Sequence, residues 1–135
     1  MKTIFSVLVV SILIMGLLTA AAPVPETTFT LVQSLPESMN VGETYTVIVH
    51  VDSDQQFLSA QALPSFQYPG KGVVAVHGGS RVGSGTSTTL AVTFEAKSPT
   101  TRMPDGAAPV YVVVGVRYAG GYVAVQEFVF NVTVP

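Results

Sequence analysis

The sequence predicts an all-β domain, an antiparallel sandwich of about seven strands, preceded by one N-terminal hydrophobic helix. Three observations lead to this prediction. Val, Thr, Tyr and Phe dominate the chain after residue 22, which favours strands. Gly, Pro, Asn, Asp and Ser interrupt it at short, regular intervals. Several segments also alternate apolar and polar residues, as a half-buried strand does.

The start of the chain has the layout of an export signal. Lys2 is followed by residues 4–22, an apolar stretch without charge or proline that ends in small residues. We expect a cut after Ala20 or Ala21, which makes residues 1–21 a signal peptide. A retained membrane anchor is the alternative, because this stretch nearly reaches the ~20 residues that span a bilayer as a helix. Either way, the rest of the chain is expected to be extracytoplasmic, either secreted or held at the cell surface.

The remainder is expected to be a short leader, residues 22–26, and one domain, residues 27–135. A domain of this length buries enough surface for an independent core. The chain has no Cys, so that core does not depend on disulfides. Once Lys2 is set aside, five Lys and Arg stand against eight Asp and Glu, a net charge of −3. This balance, without any basic cluster, argues against nucleic acid and anionic membranes as partners.

Seven segments after the leader are expected to be strands. In the clearest, Tyr45, Val47, Val49 and Val51 share one face. Pro64 cannot donate to a ladder, so the third strand should lie at an edge or end there. Gly120 and Gly121 indicate a hairpin between the last two strands. The expected strands are 27–35, 44–52, 58–66, 72–78, 87–97, 109–118 and 121–134.

This spacing is typical of an immunoglobulin-like sandwich without the Cys and Trp residues of antibody domains. The segments VGETYTVIVHVDS (41–53), TTLAVTFEAK (88–97) and FVFNVTVP (128–135) resemble the immunoglobulin-like modules of secreted prokaryotic surface proteins, of adhesion or S-layer-associated type. Residues 57–79 also resemble the cohesin-like sandwiches of extracellular scaffolds. The resemblance implies a fold and a surface setting. It implies no catalytic residue, and the calcium loop of many such modules is missing.

The sequence also lacks the motifs that enzymes and metal sites require. GGSRV (78–82) has Val82 where a nucleophile elbow needs glycine, and the glycine-rich loop that follows has no phosphate-binding lysine. His50, Asp52 and Asp54 share one face of a strand, but such neighbours stand about 7 Å apart. One ion needs ligands converging on a single point. We therefore expect no catalytic residue, no metal and no cofactor.

Asn131 begins the sequence Asn-Val-Thr, which is a glycosylation sequon. By parity its side chain points away from the core. It is a candidate glycosylation site, and a plain polar strand position is the alternative.

The last two predicted strands are apolar on both faces, although only one face of each can pack against the core of the domain. One parity of each strand is apolar, as expected for a core face, but the opposite parity is also largely apolar. We name the outward set the apolar stripe, interrupted by Arg117 and Glu127; it consists of Tyr111, Val113, Val123, Val125 and Val129. Large exposed apolar patches usually have a role. Three explanations are open: the loop 98–108 folds over the stripe, a protein partner covers it, or a bulge shifts the register by one residue.

These observations predict a non-enzymatic structural or interaction module that associates with a protein partner or with itself through the stripe. One alternative is a membrane-anchored accessory subunit of a larger envelope complex. Another is a carbohydrate- or ligand-binding module. The chain has no Trp, so such a module would have to rely on tyrosines, for which the candidates are Tyr68, Tyr111, Tyr118 and Tyr122.

Overall fold

The computed structural model describes residues 7–8, 23–66 and 72–135. Within these residues the chain folds into antiparallel strands, which confirms the all-β prediction. The predicted N-terminal helix and the expected cuts lie outside the described residues, except that Val7–Leu8 form a short strand. The strands are β1 (Val7–Leu8), β2 (Thr27–Gln33), β3 (Thr44–Phe57), β4 (Ser59–Phe66), β5 (Val73–Ala75), β6 (Ser80–Val82), β7 (Gly85–Ala96), β8 (Ala108–Arg117) and β9 (Val123–Val132).

Two sheets pack face to face as a β-sandwich. The first sheet has the order β1-β9-β8-β4-β6 and the second has the order β2-β3-β7-β5. Alternate residues of β3 and β7 are buried from one side, and alternate residues of β8 and β9 from the other. Inward-facing valines and phenylalanines of both sheets therefore form one shared core.

Within residues 27–66 and 72–135 the structure has eight strands, whereas the sequence predicts seven. The predicted strand 72–78 ends at Ala75, and the additional strand β6 lies in the expected glycine-rich loop. β6 pairs with Ala60–Ala62 of β4. Gly79 makes this approach possible, because its φ is +106° and a side chain there would collide with the Ala62 carbonyl. A three-residue strand in such a loop has no periodic pattern from which to predict it.

β4 lies between β8 and β6, and its pairing with β6 ends at Ala62. Pro64 pairs with Val112 of β8 and β4 continues to Phe66, so this strand neither lies at the edge of the sheet nor ends at the proline. Pro64 is tolerated because it lies beyond the part of β4 that pairs with β6. Leu58, which the alternation predicts to face inward, is 46% exposed. It occupies the bend between β3 and β4, where the alternation of a strand does not apply.

The hairpin between β8 and β9 forms as predicted. Ala119–Gly121 make a short 3-10 turn, and Gly120 and Gly121 have φ of 85° and 86°. The Tyr118 amide donates to the Tyr122 carbonyl at 2.8 Å and closes the turn. Pairing then continues without a bulge from Arg117 opposite Val123 to Ala108 opposite Val132. This regular register decides which residues face outward.

The loop 98–108 is fastened to one end of the sandwich. Thr100 is fully buried, and its Oγ1 accepts from the Val134 amide at 2.9 Å and donates to the Gly106 carbonyl at 2.8 Å. The Thr100 amide donates to the Val134 carbonyl at 2.9 Å. Met103 packs against the core. These contacts direct the loop to the end and the interior of the sandwich.

Candidate interaction face

The apolar stripe lies on the outward face of the first sheet. Its positions alternate with fully buried core residues of β8, among them Val112 and Val114. Tyr111 is opposite Val129 in the ladder, and Val113 is opposite Glu127. Because the pairing has no bulge, a shift in register does not explain the stripe.

The five stripe residues are each half-buried, since neighbouring side chains on the sheet cover part of one another. Leu63 extends the stripe onto β4: it is opposite Val113 and 42% exposed. The sequence analysis did not assign Leu63 to this face. In the sequence, Leu63 is out of phase with Ala60 and Ala62, which are buried, and this alternation indicates an outward side chain. The adjacent Pro64 obscured the alternation.

On β8 and β9, one cation, one anion and one glycine lie within the same outward face. Arg117 is opposite Val123, and Glu127 is opposite Val113 on the other strand. Both charged residues are exposed. Between them Gly115 lies opposite Val125, and a Cβ added to Gly115 would meet nothing within 4 Å. The centre of the face is therefore a shallow notch bordered by apolar side chains and flanked by opposite charges.

Asn131 is exposed at the far end of this face, opposite Pro109. It follows Val129 on the outward row of β9. A glycan attached there would occupy space beside the Tyr111 and Val129 pair. Glycosylation at Asn131 and close contact across this end of the face would therefore exclude one another.

A polar network occupies the outward face of the second sheet. His50 Nε2 lies 3.2 Å from Asp52 Oδ2 and 3.2 Å from Ser87 Oγ. Ser87 Oγ donates to Asp52 Oδ1 at 3.0 Å, and His50 Nδ1 lies 2.9 Å from Thr89 Oγ1. The side chains of His50 and Asp52 thus lean toward each other despite the spacing of their backbones. Sequence reasoning missed Ser87 and Thr89, because both come from the neighbouring strand β7.

Asp54 is separate from this network. Its Oδ1 accepts the Glu26 amide at 2.8 Å, which ties the leader to the end of β3. His77 is exposed between β5 and β6. In the part of the chain that the structure describes, no three His, Asp or Glu side chains are grouped closely enough to hold a metal ion.

The shifted ionisable groups lie at the turn before β3. Glu43 Oε1 accepts the Asn40 amide at 3.0 Å, and Glu43 Oε2 accepts the Tyr45 hydroxyl at 3.0 Å. The hydrogen bond from the Asn40 backbone, followed by that from Tyr45, lowers the pKa of the Glu43 carboxyl. The same hydrogen bond to Glu43 raises the pKa of Tyr45. This pair stabilises the turn and lies on the second sheet, away from the stripe.

Two of the candidate sugar-binding tyrosines have structural roles. Tyr118 is 3% exposed, and its hydroxyl donates to Ser53 Oγ at 2.7 Å and lies 2.6 Å from Thr27 Oγ1. Tyr122 packs against it with ring centroids 5.6 Å apart. Tyr118 therefore links the end of the first sheet to the second. Tyr111 belongs to the stripe, and Tyr68 lies outside the described residues.

No helix within the described segments is long and apolar enough to span a membrane. The chain matches no protein-family model and no curated protein sequence. Among solved structures, it is similar to the sporulation control protein Spo0M from Bacillus subtilis, with a TM-score of 0.40 and 17% identity. The similarity covers 81% of this chain and 49% of Spo0M, so the chain spans about half of that protein's length. A similarity at this level identifies no function.

Proposed function

We propose that the protein is a non-enzymatic extracytoplasmic structural module that associates with further copies of itself through the apolar stripe. The observation that carries this proposal is the continuous outward register of the stripe on β8 and β9. Removing such a surface from water contributes about 25 cal/mol per Å². The alternative was that the loop 98–108 of the same domain covers the stripe. Thr100 of this loop is instead hydrogen-bonded to Val134 at the end of the sandwich. Export of the module is proposed from the apolar sequence of residues 4–22.

The strand order supports an immunoglobulin-like fold for this module. The second sheet, β2-β3-β7-β5, corresponds to strands A, B, E and D of a constant-type immunoglobulin domain. In the first sheet, β9, β8 and β4 correspond to G, F and C. The departure is β6, which pairs beside β4 but follows β5 in the chain. An immunoglobulin-like sandwich is the fold that the resemblance to prokaryotic surface modules implies.

A second copy of the chain suits the stripe because the outward face of β8 and β9 carries one charge of each sign, while the further arginine of this sheet, Arg81, lies on β6 beyond β4. In a twofold contact the same patch is used by both molecules. Arg117 of each copy can then meet Glu127 of the other, while the valines between them become buried. Apolar anchors at the centre of an interface, surrounded by polar residues, are where binding energy concentrates. An unrelated partner would have to supply this complementary pattern independently.

The network around His50 supports the non-enzymatic part of the proposal. In a hydrolase triad the carboxylate and the nucleophile contact opposite nitrogens of the histidine. Here Asp52 and Ser87 both approach Nε2, and the Ser87 hydroxyl donates to Asp52. Thr89 contacts the opposite nitrogen, Nδ1, but its side chain is exposed to solvent. Water at such a position screens the charge that develops in a transition state, so a catalytic group there would gain little. We interpret these residues as a solvated hydrogen-bond network that stabilises the pairing of β3 with β7.

Replacing Val125 with glutamate tests the proposal. Val125→Glu places a charge at the centre of the stripe, and we expect a folded protein whose self-association is lost. The matched control is Val32→Glu, the same change at a valine of the second sheet that is 61% exposed. This control should retain the association of the unmodified protein. Molar mass from light scattering, with circular dichroism as the check on folding, gives the comparison.

Loss of association in both variants would mean that any added charge is sufficient and would contradict a role for the stripe. Unfolding of Val125→Glu alone would place this residue in the core of the domain instead of on an interface.

A further inference from the structure

Gly115 interrupts the outward row of β8, which otherwise carries side chains. The row continues through Tyr111 and Val113 on one side of the glycine and ends with Arg117 on the other. A glycine inside a strand weakens that strand, because its backbone loses more freedom on folding and it has no side chain to pack against its neighbours. Its presence in the middle of this face therefore requires a physical reason.

The usual structural reasons for a strand glycine do not apply to Gly115. Its φ lies outside the left-handed region, in contrast to Gly120 and Gly121 in the turn that follows. The pairing of β8 with both β9 and β4 is regular, so Gly115 forms no bulge. Within the described residues, a Cβ built on Gly115 would meet no atom closer than 4 Å. The reason that remains is the close approach of a group from another molecule.

Gly115 also lies midway between the two charges on the outward face of β8 and β9. It pairs with Val125 of β9. Arg117 lies two residues beyond this pair in one direction, and Glu127 lies two residues beyond it in the other. If Arg117 of each copy meets Glu127 of the other, the twofold axis must pass through the midpoint of these two positions. The pair of Gly115 and Val125 is therefore at the centre of the contact.

The same axis determines how the two sheets cross. From Arg117 to Glu127 the distance is four residues along the strands and one strand across them, which is about 13 Å by about 4.8 Å in regular sheet geometry. This line is inclined to the strands by about 20°, so the strands of the two copies cross at about 40°. Sheets that pack face to face keep their strands within about 30° of each other, which is close to this angle. In this arrangement Gly115 of one copy faces Gly115 of the other.

We propose that Gly115 is the specificity-determining residue of the self-association, because its missing side chain lets the two sheets approach closely at the twofold axis. This inference rests on the proposed function and adds to it the point of closest contact. An apolar surface that associated only through its area would bind more tightly with an added apolar side chain. A contact that is closely packed at Gly115 would be forced apart by the same side chain. The two descriptions predict opposite effects of one substitution.

Replacing Gly115 with valine is that substitution. We expect Gly115→Val to raise the dimer dissociation constant by roughly tenfold or more, because the inserted side chains hold the two sheets apart. Gly115→Ala should have a smaller effect in the same direction. The matched control is Gly83→Val, at an exposed glycine after β6 that also lacks a positive φ and has no neighbour within 4 Å of an added Cβ. This control should leave the constant unchanged in sedimentation equilibrium.

The stability of the monomer separates an interface role of Gly115 from a role in folding. At a concentration where the protein is dissociated, Gly115→Val should unfold at a urea concentration no lower than that of the unmodified protein. The reason is that a β-branched residue suits a regular strand better than glycine does. The variant is thus expected to combine an intact fold with a weakened association.

Cross-linking tests the position of the axis. The chain has no natural Cys, so Val125→Cys and Asn131→Cys each supply a single reactive position. Val125 is beside the proposed axis, whereas Asn131 is six residues further along the same outward row. A bismaleimide with an arm of about 10 Å, the separation of packed sheets, should join two Val125→Cys chains. Two Asn131→Cys chains should stay unlinked, because each position is about 20 Å from the axis and the pair is about 40 Å apart.

Three results would overturn this inference and leave the proposed function intact, provided that Val125→Glu still abolishes association. These are a Gly115→Val protein that associates as tightly as the unmodified protein or more tightly, a Gly115→Val protein that unfolds more readily, and equal cross-linking at Val125 and Asn131. The proposed function fails by a different result, namely association of Val125→Glu equal to that of the unmodified protein, and the inference then fails with it.

Discussion

Truncating Leu90 to alanine is expected to lower the free energy of unfolding by about 2–5 kcal/mol. Leu90 is 1% exposed and lies opposite Val49 at the centre of the second sheet, where its side chain faces the core. The substitution removes apolar contacts and leaves a cavity that the two sheets cannot close without moving apart. A midpoint shift in urea denaturation, at unchanged slope, would report this loss.

The matched control is Leu58→Ala, the same truncation at a leucine that is 46% exposed in the bend between β3 and β4. It should cost less than about 1 kcal/mol, as surface substitutions usually do. Equal losses at both positions would contradict the placement of the core between the two sheets.

Reversing Arg117 to glutamate is expected to weaken self-association by roughly tenfold, which corresponds to about 1.4 kcal/mol. In the twofold contact proposed above, Arg117 meets Glu127 of the other copy, so the reversal places two carboxylates together. The double variant Arg117→Glu with Glu127→Arg restores opposite signs and should recover most of the affinity. Such a rescue distinguishes a direct contact from a general effect of net charge.

The control for this charge reversal is Arg81→Glu, at an exposed arginine on β6 of the same sheet. It should leave the association constant unchanged, as measured by sedimentation equilibrium. If Arg81→Glu weakened association as much as Arg117→Glu, or if the double variant were no better than either single change, the twofold contact would be wrong.

The features predicted best from the sequence are those fixed by strand alternation against a core. Val47, Val49 and Val51 on β3 are buried as the period-two pattern requires, and so are Val112 and Val114 on β8. The position of the stripe follows from the same rule, because each outward residue is fixed by its buried neighbours. Gly120 and Gly121 predicted the hairpin because a turn with two positive φ angles favours glycine.

The features that could not be predicted depend on which strands become neighbours. β6 is only three residues long, and its pairing with β4 relies on the conformation of Gly79. The contacts of His50 with Ser87 and Thr89 cross from β3 to β7, whose register no local pattern specifies. The buried hydrogen bonds of Thr100 join a loop to the end of the chain. All three features therefore depend on contacts between residues that are distant in sequence.

The central claim, that copies of this protein associate through the apolar stripe, is tested most directly by the molar mass of the processed protein over a wide range of concentration. Sedimentation velocity on the unmodified protein and on Val125→Glu gives this comparison. The account predicts that the unmodified protein changes from monomer to dimer or larger assemblies as concentration rises, while the folded Val125→Glu protein stays monomeric. A monomer at every concentration, or identical association of the two proteins, would contradict it.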